Sequence, residues 1–124
     1  MSFPLATLLV IDDDQDIVES LQILLQTSGY AVIPATSVRE ALDLLDDHSE
    51  ISLVISDIRM PNVDGLDLVR VLRHRFPTLP TILVSGMPLT DEDVIPREAT
   101  LILSKPVCAA ELEKAIATML QRGP

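Results

Sequence analysis

The feature that most constrains the fold is a rhythm in which short apolar runs alternate with stretches of helical periodicity. The runs lie at residues 7–11, 30–33, 51–56, 81–84 and 100–103. Between them, apolar side chains recur at intervals of three and four residues, as in helices with one buried face. Strands that alternate with helices predict a parallel sheet with right-handed crossovers. Because most runs are apolar throughout, we predict an α/β fold: an open, doubly wound five-stranded sheet with helices on both faces.

Three residues mark where individual elements begin or end. Pro34 follows the second run, which predicts an edge strand because proline cannot donate to a central ladder. Ser37, with Glu40 three residues later, forms the capping-box pattern of a helix start. The second run is therefore predicted at the sheet edge, with a helix beginning just after Ser37.

Size and composition predict one globular domain over residues 1–124. Hydrophobic residues make up 48% of the chain, and the apolar runs are too short to cross a bilayer. The net charge of −10 argues against autonomous binding to nucleic acid, whose phosphates would repel it. The single cysteine, Cys108, provides no internal disulfide, which suits the reducing cytoplasm. We expect a cytoplasmic protein without direct contact with nucleic acid or membrane.

Polar side chains follow four of the apolar runs, and in a parallel sheet these positions share one edge. They are Asp12 and Asp13 after the first run, Asp57 after the third, Ser85 after the fourth and Lys105 after the fifth. Taken singly, each is an ordinary turn or capping residue. Together they suit phosphoryl transfer, because carboxylates bind Mg²⁺ or act as nucleophiles and an ammonium neutralises phosphate charge. The sequence thus predicts an aspartate-based phosphoryl acceptor.

Four sequence blocks carry a resemblance to a known family. "LLVIDDD", "VISDIRMPNVDGLDL", "ILVSG" and "LSKPV" are similar, in order and spacing, to the signature blocks of the response regulator receiver domain of two-component signalling. The resemblance covers essentially the whole chain. It implies a flavodoxin- or CheY-like sheet with strand order 2-1-3-4-5.

The resemblance also implies roles for individual residues. Asp57 matches the phosphoaccepting aspartate, Asp13 the direct Mg²⁺ ligand and Asp12 the acid that holds the ion through water. Arg59 stands where the family offers a backbone carbonyl to the metal. The metal set implied is therefore Asp12, Asp13, Asp57 and the Arg59 carbonyl.

Two further positions match the phosphate-binding side of the family site. Lys105 corresponds to the phosphate-pairing lysine, and its bond to Pro106 is expected to be cis. Ser85 corresponds to the switch hydroxyl that contacts the phosphoryl group. In the implied mechanism a sensor histidine kinase or phosphotransfer protein donates its phosphoryl group to Asp57. The domain then catalyses slow hydrolysis of its own aspartyl phosphate, and is thus not an enzyme in the usual sense.

The sequence departs from the family at the switch. Ile102 occupies the position where an aromatic residue usually swings with the hydroxyl, and an aliphatic side chain cannot gate by ring rotation. Between residues 90 and 100, Thr90 begins a helix pattern that Pro96 interrupts. We expect this fourth helix to be short or irregular. The surface formed by the fourth helix, the fifth strand and the last helix is a possible homodimer face.

Three other functions remain open at this point. Asp12-x-Asp14 after a strand resembles the start of haloacid-dehalogenase-type phosphatases, in which Asp12 would be the nucleophile. An EF-hand loop is disfavoured because Ile17 and Ile23 stand where that loop needs Gly and Glu. A receiver-like interaction module that accepts no phosphate would keep the fold without the chemistry.

The acids of "VIDDDQD", residues 10–16, divide between two tasks in this interpretation. Asp12 and Asp13 serve the metal site, and without the ion we expect at least one raised pKa from like-charge repulsion. Asp14 and Asp16 stand at the start of the first helix, where acids favour the partly positive end. His48 and His74 are predicted at the surface or at helix ends, and Cys108 in the core or at a helix cap.

Overall fold

The computed structural model describes residues 4–58, 65–86 and 100–121. The strands are β1 Thr7–Ile11, β2 Ala31–Ala35, β3 Ile51–Asp57, β4 Thr81–Ser85 and β5 Thr100–Ser104. The helices are α1 Gln15–Thr27, α2 Val38–Asp47, α3 Gly65–Arg75 and α4 Ala109–Gln121. The predicted fourth helix, between residues 90 and 100, lies outside the described residues, so α4 is the last helix of the prediction.

The five strands form one parallel sheet in the order β2-β1-β3-β4-β5. This confirms the predicted architecture and strand order. Pro34 lies within β2, opposite Val10 of β1. Because β2 is an edge strand, it has one open side on which a missing N–H breaks no ladder bond. The strand therefore continues through Pro34 to Ala35 instead of ending at residue 33.

Two apolar layers cover the two faces of the sheet. On one face, α1 and α4 pack over strand residues that include Val10 and Ile55. On the other face, α2 and α3 pack over residues that include Leu9 and Val54. The alternation of neighbouring strand residues between the two layers explains why the runs are apolar throughout. Among the described helices, none is both long and apolar enough to cross a membrane.

The helix starts follow the capping chemistry expected from the sequence. The Asp14 carboxylate caps α1 by accepting a hydrogen bond from the Asp16 N–H at 3.0 Å. Ser37 caps α2 by accepting from the Glu40 N–H at 3.1 Å, and the Glu40 carboxylate reaches back to the Thr36 N–H at 2.8 Å. The two acids assigned to the first helix thus lie at its start, as predicted.

Three remaining residues lie at helix ends. His48 follows α2 as its C-terminal cap, and His74 is exposed in the last turn of α3. The exposed Cys108 precedes α4, where its sulfur accepts from the Glu111 N–H at 3.4 Å. These positions confirm the surface or helix-end positions predicted for the two histidines. Of the two positions predicted for Cys108, its exposure and this contact support the helix cap and exclude the core.

Candidate functional site

The first strand delivers Asp12 to the carboxyl edge of the sheet. Its backbone N–H donates to the Ala35 carbonyl at 3.2 Å, which extends the β1–β2 pairing one residue past the strand. Its carboxylate accepts from the Asp14 N–H at 3.0 Å, and Asp12 is only 5% exposed. The next residue, Asp13, is exposed. The end of β1 therefore presents one buried and one solvent-facing carboxylate.

The third strand brings Asp57 to the same edge. The Ile58 N–H donates to the Val84 carbonyl at 3.1 Å, so the backbone after Asp57 is tied to β4. Asp12, Asp13 and Asp57 each offer a carboxylate oxygen, and these oxygens all lie within 4.8 Å of one another. The structure thus brings together all three predicted site carboxylates.

Lys105 follows the edge strand β5 and completes the cluster. Its backbone N–H donates to the Ser85 carbonyl at 2.8 Å, which holds the residue after β5 against the end of β4. Its ammonium donates to Asp57 Oδ2 at 3.2 Å, and the side chain of Asp57 is 11% exposed. The Lys105–Pro106 peptide bond is cis. A cation and the central carboxylate are therefore in direct contact.

The two predicted switch residues lie on neighbouring strands but differ in burial. Ser85 ends β4 and is 3% exposed, whereas Ile102 of β5 is 37% exposed. Ile102 pairs with Leu83, two residues before Ser85. Arg59, whose carbonyl was predicted as a metal ligand, lies outside the described residues.

Burial, more than like-charge repulsion, raises the pKa of Asp12. Loss of solvation raises the pKa of Asp12, and the negative charge of Asp57 and a hydrogen bond with Asp13 add to the rise. The hydrogen bond from the Asp14 N–H and the charge of Lys105 act in the opposite direction. The expectation of a raised pKa is met, but its main cause is burial of Asp12 and not the like-charge repulsion that we predicted.

Sequence reasoning missed an apolar cavity beside the cluster. Its volume is about 480 Å³, and its lining combines Asp12, Asp57 and Lys105 with aliphatic side chains such as Ile17 and Leu21. Apolar spacing in α1 predicts that Ile17 and Leu21 face inward, but it carries no information about the gap that separates α1 from α4. Ile17 accordingly remains 38% exposed.

Comparison with known proteins agrees with the geometry. A family model described as the response regulator receiver domain matches residues 8–117. The response regulator Rre1 of Synechocystis is 36% identical over 121 residues, which cover 94% of this chain and 52% of that protein. The response regulator SaeR of Staphylococcus aureus is 32% identical over 117 residues, which cover 93% of this chain and 50% of that protein. The chain thus spans about half the length of these two relatives.

Solved receiver structures superpose closely on the chain. A response regulator receiver domain protein from Clostridium thermocellum is 31% identical, with a TM-score of 0.84 and coverage of 95% of this chain and 96% of that one. A CheY-like receiver domain protein from Methanospirillum hungatei is 25% identical, with a TM-score of 0.86 and coverage of 98% and 96%. The sheet order, the strand-end cluster and these matches lead to one conclusion: the chain belongs to the response regulator receiver domain family.

Proposed function

We propose that Asp57 accepts a phosphoryl group from the phosphohistidine of a sensor histidine kinase or phosphotransfer protein. One observation carries this proposal: the Lys105 ammonium lies 3.2 Å from Asp57 Oδ2, within the group of three carboxylates. The contact provides a nucleophilic oxygen with a cation beside it. A transferred phosphoryl group needs both, because its transfer depends mainly on position and charge neutralisation.

The donor set fits Mg²⁺. Asp12, Asp13 and Asp57 supply hard carboxylate oxygens close enough to share one ion, and Mg²⁺ prefers oxygen ligands. The Arg59 carbonyl is proposed as a further ligand on the strength of the family pattern alone. When bound, the ion supplies positive charge to the phosphoryl oxygens and relieves the crowding of the carboxylates.

The chain's own residues account for the transfer step. An Asp57 carboxylate oxygen attacks phosphorus and forms the new P–O bond, while the P–N bond breaks and the donor imidazole keeps the electron pair. The Lys105 ammonium, which pairs with Asp57 before the reaction, then pairs with the dianionic phosphoryl group. Ser85, held at the end of β4, is proposed to donate its hydroxyl hydrogen to a phosphoryl oxygen. Slow attack by water on the acyl phosphate later restores Asp57.

The same geometry argues against Asp12 as the nucleophile of a phosphatase. Asp12 is 5% exposed, so its carboxylate is poorly accessible to an incoming phosphoryl group. Asp57 has the direct cation contact that Asp12 lacks among the interactions described. The family match likewise favours the phosphoacceptor over the phosphatase.

The output of the domain is proposed to be a change in its interaction surface. Drawing Ser85 toward the phosphoryl group would alter the packing around β5, where Ile102 is 37% exposed. A homodimer through the predicted fourth helix, β5 and α4 is one form of this output. Direct contact with nucleic acid is not proposed for this domain, because its net charge is −10.

Incorporation of phosphate from a small donor tests the proposal. The protein is incubated with acetyl phosphate and Mg²⁺, and its intact mass is followed over time. We expect a gain of one phosphoryl group that requires Mg²⁺ and is lost in Asp57→Asn. The matched control is Asp16→Asn, an exposed acid of the same segment, which should label like the wild type. Absence of label in the wild type would instead indicate an interaction module, and label that persists in Asp57→Asn would indicate Asp12.

A further inference from the structure

A largely apolar cavity lies next to Asp57 and is called the recess below. The cavity, of about 480 Å³, opens between α1 and the segment that joins β5 to α4. Asp12, Asp57 and Lys105 line it, and the remaining lining is mainly aliphatic, including Ile17 and Leu21. Its size and its few polar groups among apolar ones are typical of small-molecule sites. The proposed phosphoryl transfer uses the charged residues alone, so the aliphatic lining has no assigned role.

We infer that this recess receives the apolar group of a small phosphodonor, so that medium-chain acyl phosphates are better donors than acetyl phosphate. The inference rests on the proposed function, because it needs Asp57 to accept the phosphoryl group. The occupant must carry an anionic phosphate for Lys105 and the proposed Mg²⁺ site, and an aliphatic chain for the lining around Ile17. An acyl phosphate has both parts in one molecule.

The reaction balances without any additional reagent. An Asp57 oxygen forms a bond to phosphorus, and the bond between phosphorus and the acyl oxygen breaks. The acyl group leaves as a carboxylate, which keeps the electron pair. Acetate and longer aliphatic carboxylates are chemically alike as leaving groups, so a difference between donors measures contacts of the chain and not reactivity.

The expected size of the effect follows from burial of methylene groups. Hexanoyl phosphate has four more methylenes than acetyl phosphate, and full burial of each would lower KM by about fourfold. The rim of the cavity is partly open, since Ile17 is 38% exposed. The product of the four methylene factors is therefore an upper bound on the change in KM. We expect KM for hexanoyl phosphate to be at least about tenfold lower, with a similar maximal rate.

Two isoleucines of α1 provide a matched pair of variants. Ile17 lines the cavity, whereas Ile23 is 67% exposed and is not among the lining residues. Ile17→Asn should bring the KM values of the two donors close together. Ile23→Asn should keep the wild-type ratio. Equal KM values in the wild type, or an unchanged ratio in Ile17→Asn, would overturn the inference.

Cys108 offers a measurement that is independent of phosphoryl transfer. It is the single cysteine of the chain, it is exposed, and it also lines the cavity. In the presence of Mg²⁺, hexylphosphonate should slow alkylation of Cys108 by iodoacetamide at concentrations at which methylphosphonate does not. Equal protection by the two phosphonates would contradict occupation of the recess.

The two hypotheses fail in different ways. If both donors phosphorylate Asp57 with the same KM, the proposed function stands and the recess has no part in donor binding. If neither donor labels the protein in Mg²⁺, the proposed function fails, and the inference about donors fails with it.

Discussion

Replacing Asp12 by asparagine should stabilise the metal-free protein. Asp12 is 5% exposed, and its carboxylate oxygen lies within 4.8 Å of those of Asp13 and Asp57. Burial of the charge, the larger cause of its raised pKa, carries a solvation cost, and one like-charge pair at that distance adds about 3 kcal/mol at an effective dielectric of ~20. Lys105 offsets part of this cost, and an asparagine oxygen can still accept the hydrogen bond from Asp14. We therefore expect a gain of about 1–3 kcal/mol at neutral pH.

The gain should depend on pH in a defined direction. Because the folded state raises the pKa of Asp12 above its ordinary value of 3.8, the folded chain binds this proton more readily than the unfolded chain does. The stability of the wild type therefore falls as pH rises from that value through the folded pKa. The stability of Asp12→Asn does not fall in this way, because asparagine does not titrate. The difference in the free energy of unfolding between the two proteins should be small below pH 3.8. It should grow as pH rises from that value through the folded pKa of Asp12, and level off above it.

Thermal unfolding with a chelator present measures this effect directly. A gain of this size corresponds to roughly 4–12 °C in Tm for a domain of this length. Added Mg²⁺ should raise the Tm of the wild type more than that of Asp12→Asn, because the variant has lost one of the proposed ligands. Asp16→Asn controls for removal of an exposed acid. If Asp12→Asn were no more stable than the wild type at neutral pH, or its advantage were the same in acid, the electrostatic account would be wrong.

Three further substitutions test other parts of the structure. Ser37→Ala should cost about 1 kcal/mol in urea unfolding, because it removes the capping oxygen of α2, and an unchanged midpoint would contradict that role. Arg73→Ala should cost about 2–4 kcal/mol, since the guanidinium donates to the carbonyls of Pro77 and Leu79 and to the Thr81 hydroxyl, whereas the exposed Arg70→Ala should cost much less. Lys105→Met should slow labelling by acetyl phosphate about 10- to 100-fold while tightening Mg²⁺ binding, and normal labelling would contradict its role at the phosphoryl group.

The sheet and the polar edge were predictable because they depend on local patterns and one topological rule. Apolar runs placed the strands, and parallel pairing brought the residues at the carboxyl ends of β1, β3 and β5 to one edge. The Ser37–Glu40 pattern likewise specified a helix start that the structure contains. The strands and the helix start are encoded by neighbouring residues, and the shared edge follows from parallel pairing.

Other features of the site depend on how distant elements pack, and the sequence carries no local signal for them. The pKa of Asp12 is raised mainly by burial, which depends on the packing around the end of β1. The backbone bond from Lys105 to the Ser85 carbonyl follows from pairing between β4 and β5. The recess beside Asp57 exists because α1 and α4 leave a gap there, and no spacing within either helix indicates it.

Mapping the position of the phosphoryl group tests the central claim most directly. The protein is labelled with acetyl phosphate and Mg²⁺, reduced with borohydride to convert an aspartyl phosphate into homoserine, and digested for mass spectrometry. We predict homoserine at position 57, dependent on Mg²⁺ and absent without the donor. Homoserine at position 12, or none anywhere in a folded protein, would contradict the account.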